Sequence, residues 1–472
     1  MNNSISSVLK ASAIKFGTSG ARGLVEQFTD KVYSAFTVAS LIVMREQGAV
    51  DRLAIGMDRR PSSPGMAATC STASWAHRAG IKVVSYGILP SPALQADGVP
   101  AIMITGIHIT FDRNGIKFYR PEGEVTKADE QAIMNVAAEL PALGVIERAP
   151  ESDLANRRYL ARYVEWFPGQ PLAGKRIGVY QHSVAGRDLN VQVLEALGAE
   201  AVVLGRSEPS VPVDTEAVSE GDRALGRAWA AKHQLDALFT TDGDGDRPLM
   251  ADEHSSWLRG DIVGLLCARK LGIQALAVPV SCNAVIEVCG VFDNVQQTRI
   301  GSPYILEEMA QLAEKYECVA GFEANGDFML GTAVESDGRY LAALPTRDAL
   351  LPALTLLVAA AEHGIPVSSM VDGLPGRFTA SDRLKEIPTE ISRARLAKWM
   401  SAPAKLQEDL RMPAAIVRLD TTDDLRATLD NGDIVHLRSS GNAPELRCYV
   451  ESGTAIKADN LLLTCIRALE HL

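Results

Sequence analysis

An apolar run, Leu235-Asp236-Ala237-Leu238-Phe239, leads straight into the loop Thr240-Thr241-Asp242-Gly243-Asp244-Gly245-Asp246-Arg247. The run predicts a buried strand. Beyond it three carboxylates stand at alternate positions. The glycines between them allow a tight curl, so Asp242, Asp244 and Asp246 can close on one hard cation. Arg247, permanently charged, can then face an anion on the outer side of that ion. A solvated acidic turn is the bland alternative. Residues 242–253 also have the length of an EF-hand loop, but that loop needs glycine at its sixth position and a helix on each side. Here the sixth residue is Arg247 and a strand leads in.

A loop of this kind belongs at a sheet end, and the rest of the chain supplies sheets. Residues 30–47 carry a helical apolar period, followed by strands at 53–56, 82–86, 101–105 and 116–119 with a helix at 64–80 among them. Thr126-x-x-Asp129 reads as a helix N-cap, opening a helix to about residue 140. After polar residues 148–153 the rhythm restarts, with strands at 175–180 and 201–205, helices at 187–197 and 222–233, and then the strand into the acidic loop. A third cycle has a helix at 261–271, strands at 275–281, 295–299 and 318–320, and helices at 303–316 and 346–363. From about residue 367 the texture changes to strands at 414–419, 434–438 and 446–450 and a final helix at 456–469, with a polar turn at Asp430-Asn431-Gly432-Asp433. The expected fold is α/β: three similar α/β domains (1–152, 153–257, 258–366) with mixed, largely parallel sheets, and a smaller α+β domain (367–472). Ligand loops are expected at the strand C-termini.

Composition excludes several classes. A formal net charge of −11 argues against nucleic-acid binding, which needs a basic face. It leaves room for an anionic small substrate met by locally clustered arginines and lysines. Seven scattered cysteines without a CxxC pair predict reduced, mostly buried thiols. Residues 1–15 lack the apolar core of a signal peptide, and stretches such as 349–361 are too short to span a bilayer. A cytoplasmic protein without membrane or nucleic-acid partners is expected, as a monomer or homodimer.

Four further glycine-bearing loops are candidates. Gly17-Thr18-Ser19-Gly20-Ala21-Arg22-Gly23 lets backbone amides approach an anion, with Arg22 as a forked donor, or is a plain turn. Thr105-Gly106-Ile107-His108-Ile109-Thr110 leaves a buried strand and returns through Asn114-Gly115-Ile116-Lys117. His108 can carry a proton near neutral pH or be structural, and Lys117 reads on its own as an exposed lysine. In Gly321-Phe322-Glu323-Ala324-Asn325-Gly326-Asp327, the side chains of Glu323, Asn325 and Asp327 suit sugar hydroxyls, or form an acidic turn. In Arg438-Ser439-Ser440-Gly441-Asn442-Ala443-Pro444-Glu445-Leu446-Arg447, two arginines, hydroxyls and an amide around a glycine make a cradle for a phosphate dianion.

Together and in this order, these loops resemble the α-D-phosphohexomutase superfamily, in particular its bacterial phosphomannomutase/phosphoglucomutase branch, over essentially the whole chain. The matching segments are Thr18 to Gly23, Asp242 to Arg247, Glu323 with Asn325 and Gly326, Arg438 to Arg447, Asp58-Arg59-Arg60-Pro61-Ser62-Ser63 and Asn114-Gly115-Ile116-Lys117. The resemblance implies four domains around a central cleft, each contributing one loop. It implies interconversion of hexose 1-phosphate and 6-phosphate (mannose, glucose or both) through a phosphoserine and a hexose 1,6-bisphosphate, with Mg²⁺ on the three aspartates. Arg22, His108, Lys117 and Arg247 would then serve the reacting phosphoryl group, and Glu323, Asn325 and Asp327 the sugar. Arg438, Ser440, Gly441, Asn442 and Arg447 would hold the idle phosphate.

One position departs. The family's phosphoserine stands in a pattern such as Thr-Gly-Ser-His-Ile-Pro, and here the serine position is Ile107 and the proline position Thr110. Isoleucine has no atom that can accept a phosphoryl group. Successive Cα atoms are ~3.8 Å apart and reacting atoms need about 3–3.5 Å in line, so rescue by Thr105 or Thr110 requires the loop to rebuild. Asp327 also replaces a histidine found in some relatives. Three readings follow: a mutase in design with impaired activity, a non-catalytic hexose-phosphate-binding sensor or regulatory protein, or an ordinary mutase with a local change at 107.

Overall fold

The structure, a computed structural model, describes residues 4–471 apart from 18–19, 49, 79, 107–111, 210, 212 and 440–444. Ile107, His108, Ser440, Gly441 and Asn442 therefore lie outside the described residues.

Three sheets repeat one plan. In the first, Lys82–Ile88, Arg52–Met57 and Ala101–Ile104 run parallel, and Arg113–Arg120 joins Ala101–Ile104 antiparallel. In the second, Glu200–Leu204, Arg176–Tyr180 and Ala237–Thr241 are the parallel trio and Pro248–Ala251 the antiparallel addition. In the third, Asn294–Thr298, Ala275–Pro279 and Val319–Phe322 are followed by Phe328–Leu330. In every case the last parallel strand leaves the sheet, makes a loop and returns as its own antiparallel neighbour. Two of those corners hold the aspartate loop and the Glu323–Asp327 segment, and the other lies between Ile104 and Arg113. The first sheet extends further through Ala21–Leu24, Lys15–Phe16 and Gly123–Glu124, all antiparallel, and the third through Leu344–Asp348. The fourth sheet is wholly antiparallel, with strands Phe378–Lys385, Glu445–Ser452, Ile434–Ser439, Leu425–Leu429 and Ile416–Asp420 in that order.

The helices cover these sheets for ordinary reasons. Asp30–Gln47 is capped by the Thr29 hydroxyl and buried for twelve of its eighteen residues. Thr126 and Asp129 form a reciprocal capping box on Lys127–Asn135, which ends earlier than the expected residue 140. Leu350–His363 is buried for eleven of its fourteen residues and ends at Gly364 in the left-handed region. One large core joins the second and third sheets with part of the first, and separate cores serve the remainder of the first sheet and the fourth.

Several expectations change. Residues 344–348 form a strand rather than the start of a helix. Helix Leu154–Trp166 follows the polar stretch at 148–153, and its apolar stripe of Ala155, Tyr159, Tyr163 and Trp166 packs inward. Strands Phe378–Lys385 and Leu425–Leu429 and helices Ile5–Ala11 and Thr389–Ser401 were not anticipated. The seven cysteines are free thiols, five of them buried. No helix among the described residues is long and apolar enough to cross a membrane.

Candidate active site

The aspartate loop is a strand–loop–strand corner, which removes the EF-hand alternative. Asp242, Asp244 and Asp246 are each at most 1% exposed, so the solvated-turn reading fails as well. Gly245, at φ +75° and against Pro90, permits the curl.

Each aspartate has one oxygen held by the protein and one left over. Asp242 Oδ1 accepts the backbone N–H groups of Asp246 and Arg247, both at 3.2 Å. Asp244 Oδ2 accepts Lys117 Nζ at 2.5 Å and Ser91 Oγ at 3.0 Å. Asp246 Oδ2 accepts Lys117 Nζ at 2.7 Å and lies 3.3 Å from Arg347 Nη2. Asp242 Oδ2, Asp244 Oδ1 and Asp246 Oδ1 are buried without a hydrogen-bond partner. Three orphaned carboxylate oxygens in a buried site are costly unless something positive meets them. The three aspartates offer ligand atoms within 4.8 Å of one another, so the donor set fits one small, hard divalent cation.

The cations around the triad come from all three mixed sheets. Lys117 in Arg113–Arg120 is buried, which corrects its reading as an exposed residue. Burial works against its charge, yet Asp244 and Asp246 hold its pKa above the ordinary lysine range. Arg22, on Ala21–Leu24, is pushed down to about 10 by burial and by Arg247 and Arg347. Asp246 stays well below the usual carboxylate range because Arg347, Lys117 and Arg247 outweigh its burial. Asp242 is pushed up by burial and by Asp246 and Asp244. Arg247 Nε stands 3.8 Å from Asp246 Oδ1.

The Glu323–Asp327 loop is a tight turn tied by its own side chains. Asp327 Oδ1 accepts Glu323 N–H at 2.9 Å, and Asn325 Oδ1 accepts Asp327 N–H at 3.0 Å. Asp327 is fully buried with Oδ2 unpartnered, and burial followed by Glu323 pushes its carboxyl well up. At the other face, Arg438 and Arg447 sit opposite each other on adjacent strands. Asp423 holds Arg438 at 3.0 Å, and Tyr449 Oη accepts Arg447 Nη1 at 3.5 Å. A cavity of about 620 Å³ borders Arg438 and is also lined by Lys127, Arg299, Tyr304, Asp423 and Asp424. That volume accommodates a small polar ligand.

Some residues escaped the sequence reading. Glu216, on a turn whose backbone Asp214 holds at 2.9 Å, is pushed up by burial and feels the charges of Arg247, Glu323 and Arg447. Within segments already named for the resemblance, Asp58 Oδ2 accepts Gly106 N–H at 3.1 Å, and Asn114 donates to Ser62 Oγ at 2.8 Å and Ser63 Oγ at 3.1 Å. Both ends of the 107–111 segment are thereby pinned. Arg347 and Glu124 form a buried pair at 2.9 Å. Neither charge carries a local signal in the sequence, since Glu124 stands in a polar stretch and Arg347 between Thr346 and Asp348.

Comparison with known proteins agrees with this arrangement. Residues 13–142 match the family model of phosphoglucomutase/phosphomannomutase α/β/α domain I, and residues 259–378 match that of domain III. A phosphomannomutase of Salmonella muenchen is 49% identical over 97% of the chain and 96% of its own length. A phosphomannomutase of Sinorhizobium fredii is 41% identical over 95% and 97%. Among solved structures, a phosphoglucomutase/phosphomannomutase family protein from Burkholderia thailandensis aligns with TM-score 0.74 at 19% identity, covering 96% of this chain and 97% of that one. N-acetylphosphoglucosamine mutase of Aspergillus fumigatus, in complex with GlcNAc-6P and magnesium, aligns with TM-score 0.54 at 13% identity over 99% and 98%. At these identities the structural likeness speaks for the fold alone.

Proposed function

The chain belongs to the phosphoglucomutase/phosphomannomutase family, and on that premise we propose that it is a hexose-phosphate mutase in design whose turnover is held back at Ile107. Four domains, 1–152, 153–257, 258–366 and 367–472, would enclose the cleft. The substrates are hexose 1-phosphate and 6-phosphate of mannose, glucose or both, with hexose 1,6-bisphosphate as activator and Mg²⁺ as the metal. The observation that carries the reading is the buried triad with one unpartnered oxygen on each aspartate, surrounded by Lys117, Arg22, Arg247 and Arg347. Phosphoryl transfer needs in-line positioning and neutralised equatorial oxygens, and a divalent ion on the triad supplies part of that neutralisation. Arg22 and Arg247 supply further fixed positive charge, and Lys117 holds two of the aspartates. Glu323, Asn325 and Asp327 would read the sugar hydroxyls, with Arg438, Arg447 and residues 440–442 on the distant phosphate. His108 would carry a proton beside position 107. The protein is taken to act in the cytoplasm on a small molecule, as a monomer or homodimer.

Ile107 itself favours a second reading, a protein that binds hexose phosphate and signals rather than turns over. The test is mannose 1-phosphate conversion with glucose 1,6-bisphosphate present, for the chain as it stands and for Ile107→Ser. We expect low turnover in the first and a rise on the order of 10³-fold or more in the second, since supplying a missing nucleophile acts on the chemical step. Robust turnover by the unaltered chain refutes the impaired-mutase reading. An inactive Ile107→Ser protein that binds hexose phosphate tightly selects the sensor.

A further inference from the structure

Arg347 lies on Leu344–Asp348 and its side chain is 2% exposed. It faces two carboxylates from different sheets. Its Nε donates to Glu124 Oε1 at 2.9 Å, and its Nη2 stands 3.3 Å from Asp246 Oδ2. Glu124 in turn accepts Ser302 Oγ at 2.9 Å on its other oxygen. The order is therefore Ser302, Glu124, Arg347, Asp246, with every member buried. Ser302 opens helix Ser302–Leu312, next to Gly301 and Pro303 in the wall of the 620 Å³ cavity.

Asp246 Oδ2 thus accepts a hydrogen bond from Lys117 of the first sheet and forms an ion pair, without hydrogen-bond geometry, with Arg347 of the third, while Oδ1 has no hydrogen-bond partner. A planar guanidinium fixed by one carboxylate can orient a second, which a single flexible ammonium does less well. Groups behind a ligating carboxylate set its direction and thereby the affinity of the site. We propose that Arg347 is a positioning residue for the triad, holding Asp246 so that Oδ1 faces the cation position, with Glu124 and Ser302 fixing the guanidinium from behind. This rests on the reading of the triad as a cation site.

The sign of one measurement separates this role from two simpler ones. As a mere positive charge near the triad, Arg347 repels a divalent ion, and its removal tightens binding. As a mere packing element, it leaves affinity unchanged in any variant that folds. As a positioning residue, its removal weakens binding. The experiment is Mn²⁺ binding to the full chain, read from the electron paramagnetic resonance of the free ion, for the unaltered protein, Arg347→Met, Arg347→Lys and Glu124→Gln. Arg347→Met is expected to bind Mn²⁺ at least tenfold more weakly. Arg347→Lys should recover less than half of that loss on a logarithmic scale, and Glu124→Gln should weaken binding about threefold or more. The double variant should be no weaker than Arg347→Met, because both act through the same contact. Unchanged or tighter binding in Arg347→Met overturns the proposal, as does full affinity in Arg347→Lys. If Arg347→Met does not fold, Glu124→Gln decides, and unaltered affinity there overturns it. An unaltered protein that binds no Mn²⁺ instead refutes the reading of the triad.

Discussion

Asp348→Ala tests how firmly the segment carrying Arg347 is built. Asp348 is 1% exposed and accepts four donors. Tyr159 Oη donates to Oδ1 at 2.6 Å, Tyr163 Oη donates to Oδ2, and the N–H groups of Leu350 and Leu351 donate to Oδ1 at 2.9 and 3.3 Å. Burial, then Asp348, pushes both phenols well above the ordinary tyrosine range, so both remain protonated donors. The two N–H groups are the orphans at the start of helix Leu350–His363, and losing their cap costs about 1 kcal/mol. Each phenol loses a bond to a charged group and is left buried without a partner, about 2 kcal/mol apiece. The expected total is about 5 kcal/mol for opening of this region. Tyr159→Phe and Tyr163→Phe should cost only about 1–2 kcal/mol each, since the carboxylate keeps its other donors. Hydrogen exchange of the 350–363 amides reads the local opening directly. Protection there should fall by roughly 10³- to 10⁴-fold in Asp348→Ala and about tenfold in either phenylalanine variant. Protection in Asp348→Ala no lower than in Tyr159→Phe would refute the reasoning.

Two further outcomes are expected. A Cβ on Gly260 would lie 2.2 Å from Asn325 C and Gly326 N and 2.5 Å from Asn325 O, all backbone that cannot give way. Gly260→Ala should therefore shift the Glu323–Asp327 loop and weaken hexose 6-phosphate binding about tenfold, with Mn²⁺ affinity within about twofold of the unaltered chain. Calorimetry with both ligands checks it, and unaltered sugar-phosphate binding removes that loop from the site. His182 and His436 each donate Nε2–H to a backbone carbonyl, at 2.9 and 2.8 Å, and leave a buried Nδ1 unpartnered. Burial lowers the pKa of both, so below the unfolded value near 6.5 the unfolded chain binds more protons than the folded one. Their contribution is full above about pH 6.5 and is lost as pH falls towards the folded values. Melting temperatures from pH 7.5 to 5.5 should fall less steeply for His436→Gln than for the unaltered chain. Equal slopes would exclude this histidine as a source of the acid sensitivity.

Much of the fold was legible because the corner loops leave buried parallel strands, which read as short apolar runs closed by glycine and polar residues. The same rule fails where a buried strand carries few apolar residues. Leu344–Asp348 reads Leu-Pro-Thr-Arg-Asp, mostly polar yet mostly buried, and the apolar Leu350–His363 follows after one residue, so no apolar run marks the strand apart from the helix. Helix Leu154–Trp166 hid behind Asn156, Arg157, Arg158 and Arg162, although Ala155, Tyr159, Tyr163 and Trp166 keep a helical spacing. The candidate metal ligands could be named from residues 242–247 because their pattern is local. Their support could not, since Lys117 and Arg347 stand more than a hundred residues away on either side. A local pattern cannot say whether a strand lysine faces water or an aspartate pair.

The charges around the triad also say what the loss at position 107 changes and what it leaves. Arg22, Lys117, Arg247 and Arg347 act on Asp242, Asp244, Asp246 and Glu124, so positive and negative side chains already meet around the triad. A divalent ion on the orphaned oxygens brings two positive charges into a buried site, where unmatched charge is expensive. A phosphoryl dianion carries the opposite two. Metal and phosphoryl group are therefore expected to bind better together than apart, and each should raise the affinity of the other by the same factor. In a chain with serine at 107 the dianion can be attached covalently. With isoleucine there the electrostatic demand is intact and the tether is gone, so a phosphate brought by the ligand has to meet it. Binding of hexose bisphosphate should consequently depend on Mg²⁺ more strongly than binding of a monophosphate, whose single phosphate would, on the proposed assignment, be shared with Arg438 and Arg447.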